Sequence, residues 1–405
     1  MKNANYLLIF LLLGLTNHVL AQESPNNTLL ITKAYNQSKQ AQKVLNLLDQ
    51  ANQELSLDLL YEKGKAYYQT GNIKEAANSF YQLNEKEPNK AALELARCYA
   101  LLNKPEFACK QIEAHLKQKE RLMQHQIKSD TAFRRIENSE CWIALWKNDW
   151  YNKYELMYED ALYEFRNQRY EEALTIINEL IQIRKTQYQA YGLKAQIYEN
   201  LGEYQLGLNT IEQAVKIRPK NAAFHAIKAQ LELHLNKAAK ALKSIDKALG
   251  LDNTQIDYYF IKTKALAEKG KTKQAFESIN FLTEIYPETK VFVLAAAIYS
   301  QANEYQMAIK AMNKCIAMEK YNHEFYKTRG NLYLSTQLYD FAIKDFTMCL
   351  DFTPHDGELY FKRGLARLAK NQNNEACFDF NKAYYYQYME AYDYLSVHCR
   401  NYKQN

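Results

Sequence analysis

Histidine and cysteine are the residues best suited to chemistry in this chain, and neither falls in a pattern that chemistry needs. There are 8 His and 7 Cys among 405 residues. His225 and His234 stand nine positions apart with no acidic or cysteine companion at ligand spacing, so they form no metal set. The signatures G-x-x-x-x-G-K-[ST], G-x-G-x-x-G, H-E-x-x-H and G-x-S-x-G, each tied to a phosphate, metal or nucleophile mechanism, do not occur. The expectation is therefore a protein without catalytic residues, metal or cofactor. Asp130-Thr131-Ala132 has the form of a short O-glycan acceptor motif of exported proteins, but three residues match by chance too often to carry an assignment.

Composition narrows the class further. Only 11 Gly and 6 Pro argue against a turn-rich β-sandwich or barrel, and 47% hydrophobic residues with a mean hydropathy of −0.53 exclude both a polytopic membrane protein and a disordered chain. The 52 basic and 46 acidic residues give a net charge of +6 but are interspersed, so no basic face points to nucleic acid.

Residues 1–21 read as an export signal. Lys2 supplies the basic start, Tyr6 to Leu15 an apolar core too short to span a bilayer, and Val19-Leu20-Ala21 a small-residue cleavage site before Gln22. The expected destination is the periplasm or surface of a bacterium, with no membrane-spanning segment in the mature chain.

The elements that position any site repeat along the chain. Pro88, Pro219, Pro287 and Pro354 each follow an apolar helical pattern, and unit starts fall near 57, 89, 121, 154, 188, 222, 256, 289, 323 and 357, at spacings of 32 to 34. Position 8 of the unit is small, as at Gly64, Ala195, Ala229, Gly330 and Gly364. Position 20 is small as well, at Ala76, Gly207, Ala241, Ala275, Ala308, Ala342 and Ala376. Two helices must touch there, since a larger side chain would push them apart. Position 24 is large and apolar, Gly71, Gly202 and Gly270 end first helices at position 15, and the prolines stop second helices.

This helix-turn-helix unit resembles the tetratricopeptide repeat, over about residues 57–390. The resemblance implies an all-α, right-handed superhelical solenoid of about ten repeats with capping helices at both ends. The expected organisation is a partial repeat at 22–56, two repeats at 57–120, a degenerate repeat at 121–153, seven repeats at 154–387, and a capping helix at 388–405. In the degenerate unit Lys128 and Glu140 stand where small residues belong, so either the register slips and Cys141 takes the small position, or the unit is a longer, irregular helix pair. Cys98, Cys109, Cys315, Cys349 and Cys377 fall at small or apolar positions of the unit, which reads as buried free thiols; a Cys98–Cys109 bridge across one hairpin is the open alternative.

By the same resemblance, first helices line a concave groove through positions 2, 5, 9, 12 and 13. The candidate partner-binding residues are Phe260 and Lys264 in the unit at 256, Lys327, Asn331 and Leu334 in the unit at 323, and Phe361, Leu365 and Leu368 in the unit at 357. Lys327 and Asn331 match part of a clamp for a peptide's terminal carboxylate, although Lys362 stands where the next Asn belongs. Either a partner or the Tyr-rich last helix must cover Phe361, Leu365 and Leu368. The expected function is non-enzymatic protein or peptide scaffolding, with self-association left open. A carbohydrate or cell-wall binding module and a regulatory subunit of a separate enzyme are the alternatives.

Overall fold

The structure, a computed structural model, describes residues 25–50 and 54–399. The expected export segment, residues 1–21, lies outside them. The described residues form 23 α-helices and one 3-10 turn, with no strand. None of these helices is long and apolar enough to cross a membrane. The chain divides into two compact units, Met1–Lys269 and Gly270–Asn405.

The N-terminal unit opens with α1 (Pro25–Gln37) and α2 (Ala41–Asp49), followed by α3 (Leu57–Gln69), α4 (Ile73–Lys86), α5 (Ala92–Leu101) and α6 (Pro105–Leu116). Two short helices, α7 (Gln124–Lys128) and α8 (Glu140–Leu145), then interrupt the series. Regular pairs resume with α9 (Lys153–Arg166) and α10 (Tyr170–Ile183), α11 (Tyr188–Asn200) and α12 (Tyr204–Ile217), and α13 (Ala222–His234) and α14 (Ala238–Leu251), ending on α15 (Ile256–Glu268). The C-terminal unit contains α16 (Thr272–Ile285), α17 (Thr289–Gln301), α18 (Tyr305–Met318), α19 (His323–Ser335), α20 (Tyr339–Phe352), α21 (Gly357–Ala369), α22 (Asn373–Tyr385) and α23 (Ala391–His398).

Within a hairpin the seam is set by a reciprocal choice of residue size. Where position 24 is Phe80, Phe346 or Phe380, position 8 is Gly64, Gly330 or Gly364, and a Cβ on these glycines would stand 2.6, 2.8 and 2.7 Å from the ring. Where position 24 is Ile112, Ile177, Ile211 or Ile245, position 8 is Ala96, Ala161, Ala195 or Ala229, and all eight are fully buried. The smaller knob leaves room for one methyl group.

Turns within the hairpins require a left-handed residue. Gly71, Gly202 and Gly270 adopt φ of 81°, 78° and 76°, while Asn103, Gln168, Asn236, Asn303, Gln337 and Asn371 take the same conformation at the equivalent places. Between hairpins, the residue before proline is pushed out of the helical region and ends the second helix, into extended backbone at Glu87 and to φ −127°, ψ 70° at Thr353.

Residues 25–49 form a helix pair whose second helix, α2, has 9 residues, with Ala41, Val44, Leu45 and Leu48 buried. Other expectations are corrected. The segment 121–153 is neither a register-slipped repeat nor a longer helix pair. It is short turns around Phe133, Ile136 and Trp142, whose indole packs edge-on against Trp146 at 5.6 Å. Cys141 of this segment bonds to Cys109, and Cys377 bonds to Cys399, so neither Cys109 nor Cys377 is a free thiol. There is no Cys98–Cys109 bridge. Cys98 faces the seam with α4, beside Phe80 and Leu95, whereas Cys109 faces the opposite seam with Trp142 and Leu145.

The N-terminal unit coils until its two ends meet. α1 packs against α15, and the Lys33 ammonium donates to the Thr254 hydroxyl at 2.6 Å, across 221 positions of sequence. First helices also touch their counterparts in the next pair, α9 with α11, α11 with α13 and α13 with α15, so they line the inner curve.

Gly330→Ala should lower stability despite the roughly 1 kcal/mol that Ala gains over Gly in a helix, because overpacking a tight seam costs about 1–3 kcal/mol. Adding Phe346→Ile should restore part of it. A thermal double-mutant cycle that came out additive would show that this contact does not limit the seam.

Candidate functional site

The most developed inner-face site of the N-terminal unit lies on α3 and α5. Tyr61, Lys65, Tyr68 and Gln69 of α3 line a cleft of 360 Å³ with Glu94 and Arg97 of α5 and Asp130, over the buried ring of Phe80. The helical period places Tyr61, Lys65 and Tyr68 on one face of α3, and the Gly64–Phe80 contact fixes that face against α4. Ser56 caps α3 by accepting from the Leu59 amide, and Asp130 caps the 3-10 turn by accepting from the Ala132 amide.

Polar pairs run across the cleft, and one buried pair lies beside it. Asn36 Nδ2 donates to the buried Glu62 carboxylate at 2.7 Å, and Lys65 pairs with Glu62 at 3.2 Å. Tyr61 Oη donates to Glu94 Oε1 at 2.8 Å, and Arg97 Nε donates to Asp130 Oδ2 at 2.6 Å. Burial, then the Glu94 carboxylate, push the Tyr61 phenol well above its ordinary range, so it remains a protonated donor. Burial likewise pushes the Tyr68 phenol up. Such an arrangement supplies aromatic faces, donors and acceptors in alternation, suited to holding an extended peptide.

The residues expected from sequence divide between the two units. Phe260 and Lys264 lie on α15 in the N-terminal unit, where Lys264 reaches Glu268 at 3.9 Å. In the C-terminal unit Lys327 of α19 is held by Glu358 at 2.8 Å and Asp356 at 3.6 Å. Hydrogen bonds from Lys327 and Lys362 hold the Glu358 carboxyl down at about 2. Asn331 Oδ1, one turn along α19 from Lys327, is buried without a hydrogen-bond partner, and Leu334 is half-buried in the seam with α20.

The apolar trio is covered by its own chain. Phe361 is 6% exposed, with ring centroids 5.1 Å from Tyr394 of α23 and 5.0 Å from Tyr388, while Leu365 and Leu368 pack into the same cluster. The Cys377–Cys399 bond ties α23 down over this seam. Phe361 is therefore a core residue rather than an open contact.

The α3–α5 cleft was not singled out from sequence, although the groove offsets applied to the units at 57 and 89 give Tyr61, Lys65, Tyr68, Gln69 and Arg97. Asp130 had no such signal, because the repeat fails before it.

Tetratricopeptide-repeat family models match residues 164–231, 57–89 and 289–322, the last two segments starting where α3 and α17 start. No curated protein sequence matches the chain. Among solved structures, a tetratricopeptide repeat protein from Parabacteroides merdae is similar with a TM-score of 0.46 at 18% identity, over 61% of this chain and 99% of that one. The type IV pilus biogenesis factor PilW gives 0.48 at 19%, over 52% of this chain and 98% of its own. YrrB, described as having an unusual peptide-binding site, gives 0.39 at 18%, over 46% and 98%.

Lowering pH should test the Lys327–Glu358–Lys362 cluster. A carboxylate depressed in the folded state contributes stability above its unfolded pKa of about 4.3 and loses it as pH falls through the folded value. The melting difference between wild type and Lys327→Met should be present at neutral pH and shrink from about pH 4 towards 2. A difference that did not vary with pH would remove Glu358 from the account.

Proposed function

We propose that the chain, which matches tetratricopeptide-repeat models over residues 57–89, 164–231 and 289–322, is a non-enzymatic scaffold that holds an extended partner segment in the α3–α5 cleft. The observation that carries this reading is the set of pairs Tyr61–Glu94 and Arg97–Asp130, which with Lys65 and Tyr68 line an open cleft on the inner face. A preformed surface on stacked helices loses little ordering entropy when a segment binds.

We further propose that the scaffold works in the bacterial cell envelope. The export-type segment at residues 1–21 supports this, and so do the Cys109–Cys141 and Cys377–Cys399 bonds, which persist in oxidising compartments. The mature chain is expected to begin at Gln22. Alkylation under denaturing, non-reducing conditions should find Cys98, Cys315 and Cys349 free; labelling of Cys109 or Cys377 would count against an oxidising location.

The binding test is crosslinked capture from the native cell envelope with the mature chain, beside a folded Lys65→Glu, Tyr68→Ala variant. Both side chains are partly exposed, but Lys65 also pairs with the buried Glu62, so the variant is compared only at temperatures where thermal melting shows it folded. A protein captured by the wild type and lost from the variant is the expected result. Identical captures would exclude the α3–α5 cleft as the contact.

A further inference from the structure

From Lys228 to Arg363 a cation recurs at one place of the repeat and ties its first helix to a neighbouring second helix within the same unit, and Ala295 interrupts the recurrence. In the N-terminal unit Lys228 pairs with Glu212 at 2.8 Å and Lys262 with Asp246 at 2.9 Å, each reaching 16 positions back to the preceding second helix. In the C-terminal unit the cation is Arg and also takes an acid on its own hairpin. Arg329 binds Asp345 at 2.7 Å and Asn313 at 2.6 Å, and Arg363 binds Asp379 at 2.7 Å and Thr347 at 3.0 Å.

In the pair α17–α18 the two places are Ala295 and Ala311. With the Arg and its acid both missing, a cleft of 230 Å³ opens between α16 and α18, floored by α17. Its apolar lining is Phe292, Tyr299 and Met307 around the two alanines, with Asn280 and Thr283 on the α16 wall. Tyr299 is fixed by an edge-on contact with Phe276 at 5.0 Å and by a hydrogen bond from its hydroxyl to Asn280 Oδ1 at 2.5 Å, so the floor is rigid. Lys310 and Lys314 stand at the rim, one turn apart on α18, both exposed and neither in an ion pair among the described residues.

We propose that this cleft is a second docking site, which takes one apolar side chain of an acidic segment in a partner protein while that segment's carboxylates meet Lys310 and Lys314. Charge complementarity selects the occupant. The rest of the recurrence shows a cation satisfied by carboxylates, and here two cations beside an apolar hollow have none. The volume suits a protruding side chain better than a free small molecule, whose pockets begin near 300 Å³. An acyl chain with a carboxylate head would share the charge but needs more enclosed apolar wall. The site is separate from the α3–α5 cleft and does not depend on it.

The test is fluorescence anisotropy with a short fluorescein-labelled peptide in which leucines are flanked by glutamates, beside two control peptides with glutamine for glutamate or serine for leucine. Ala295→Arg, Ala311→Asp rebuilds the ion pair that the next hairpin carries, and so plugs the cleft with the chain's own groups. Lys310→Gln, Lys314→Gln removes the rim charge from exposed positions and should leave the fold intact. The leucine–glutamate peptide should bind the wild type and lose roughly tenfold or more in affinity with either double variant, and both control peptides should bind more weakly. Added salt should weaken the binding. If the peptide fails to bind the wild type, or binds both variants as tightly, the proposal is overturned. Should laurate bind there while the peptide does not, the site takes an acyl carboxylate and the protein-segment assignment is equally overturned. If the plugged variant does not fold, the lysine pair and the control peptides decide.

Discussion

The contact between position 8 of each first helix and position 24 of its second helix is the constraint on which the hairpins rest. An aromatic knob demands a bare backbone opposite, and a branched aliphatic one leaves room for a methyl group. Closing the hairpin in this way sets how near the two helices come, and hence which side chains of the first helix are left to face inwards. Tyr61 and Lys65 flank Gly64, so the α3–α5 cleft is aimed by the packing of Phe80 behind it. The same logic joins Gly364 to Phe380 and brings Phe361 under α23.

Charged groups add a different kind of specification. The carboxylate of Asp379 is completely buried, and desolvation raises its pKa even though Arg363 and Arg367 both bond to it. Burying such a group contributes little net stability, since pairing must first offset the loss of water. What the pair does define is register, because a hairpin displaced by one residue would leave a buried charge without its partner. Within each unit such pairs thus index one hairpin against the next, and the hairpin that carries Ala295 and Ala311 lacks an ion pair at these two places.

Much of this was legible because the repeat states its own rules several times over. Gly64, Ala76, Gly330 and Ala342 announce the seam by residue size, and the prolines announce its ends. Other features escaped for physical reasons. Gln168 and Gln337 occupy the same left-handed turn position as Gly71, but glutamine carries no visible preference for it. The Cys109–Cys141 bond joins a regular hairpin to an irregular segment, so no repeat offset relates its two ends. The cover on Phe361 depends on where a short terminal helix folds back, and composition alone left that helix and a partner as equal candidates. The α3–α5 cleft draws on separate pairs and on Asp130, and its meaning emerges only when they are side by side.

The closure of the N-terminal unit, with α1 against α15 and Lys33 on Thr254, bears on kinetics. A segment resting on the inside of a complete turn cannot settle there from the flank as it could on an open arc. It must feed in along the axis, end first, or wait for the Lys33 contact to part. Either route makes both encounter and departure slower than at a flat patch, so a segment held here would exchange slowly at whatever occupancy its affinity sets.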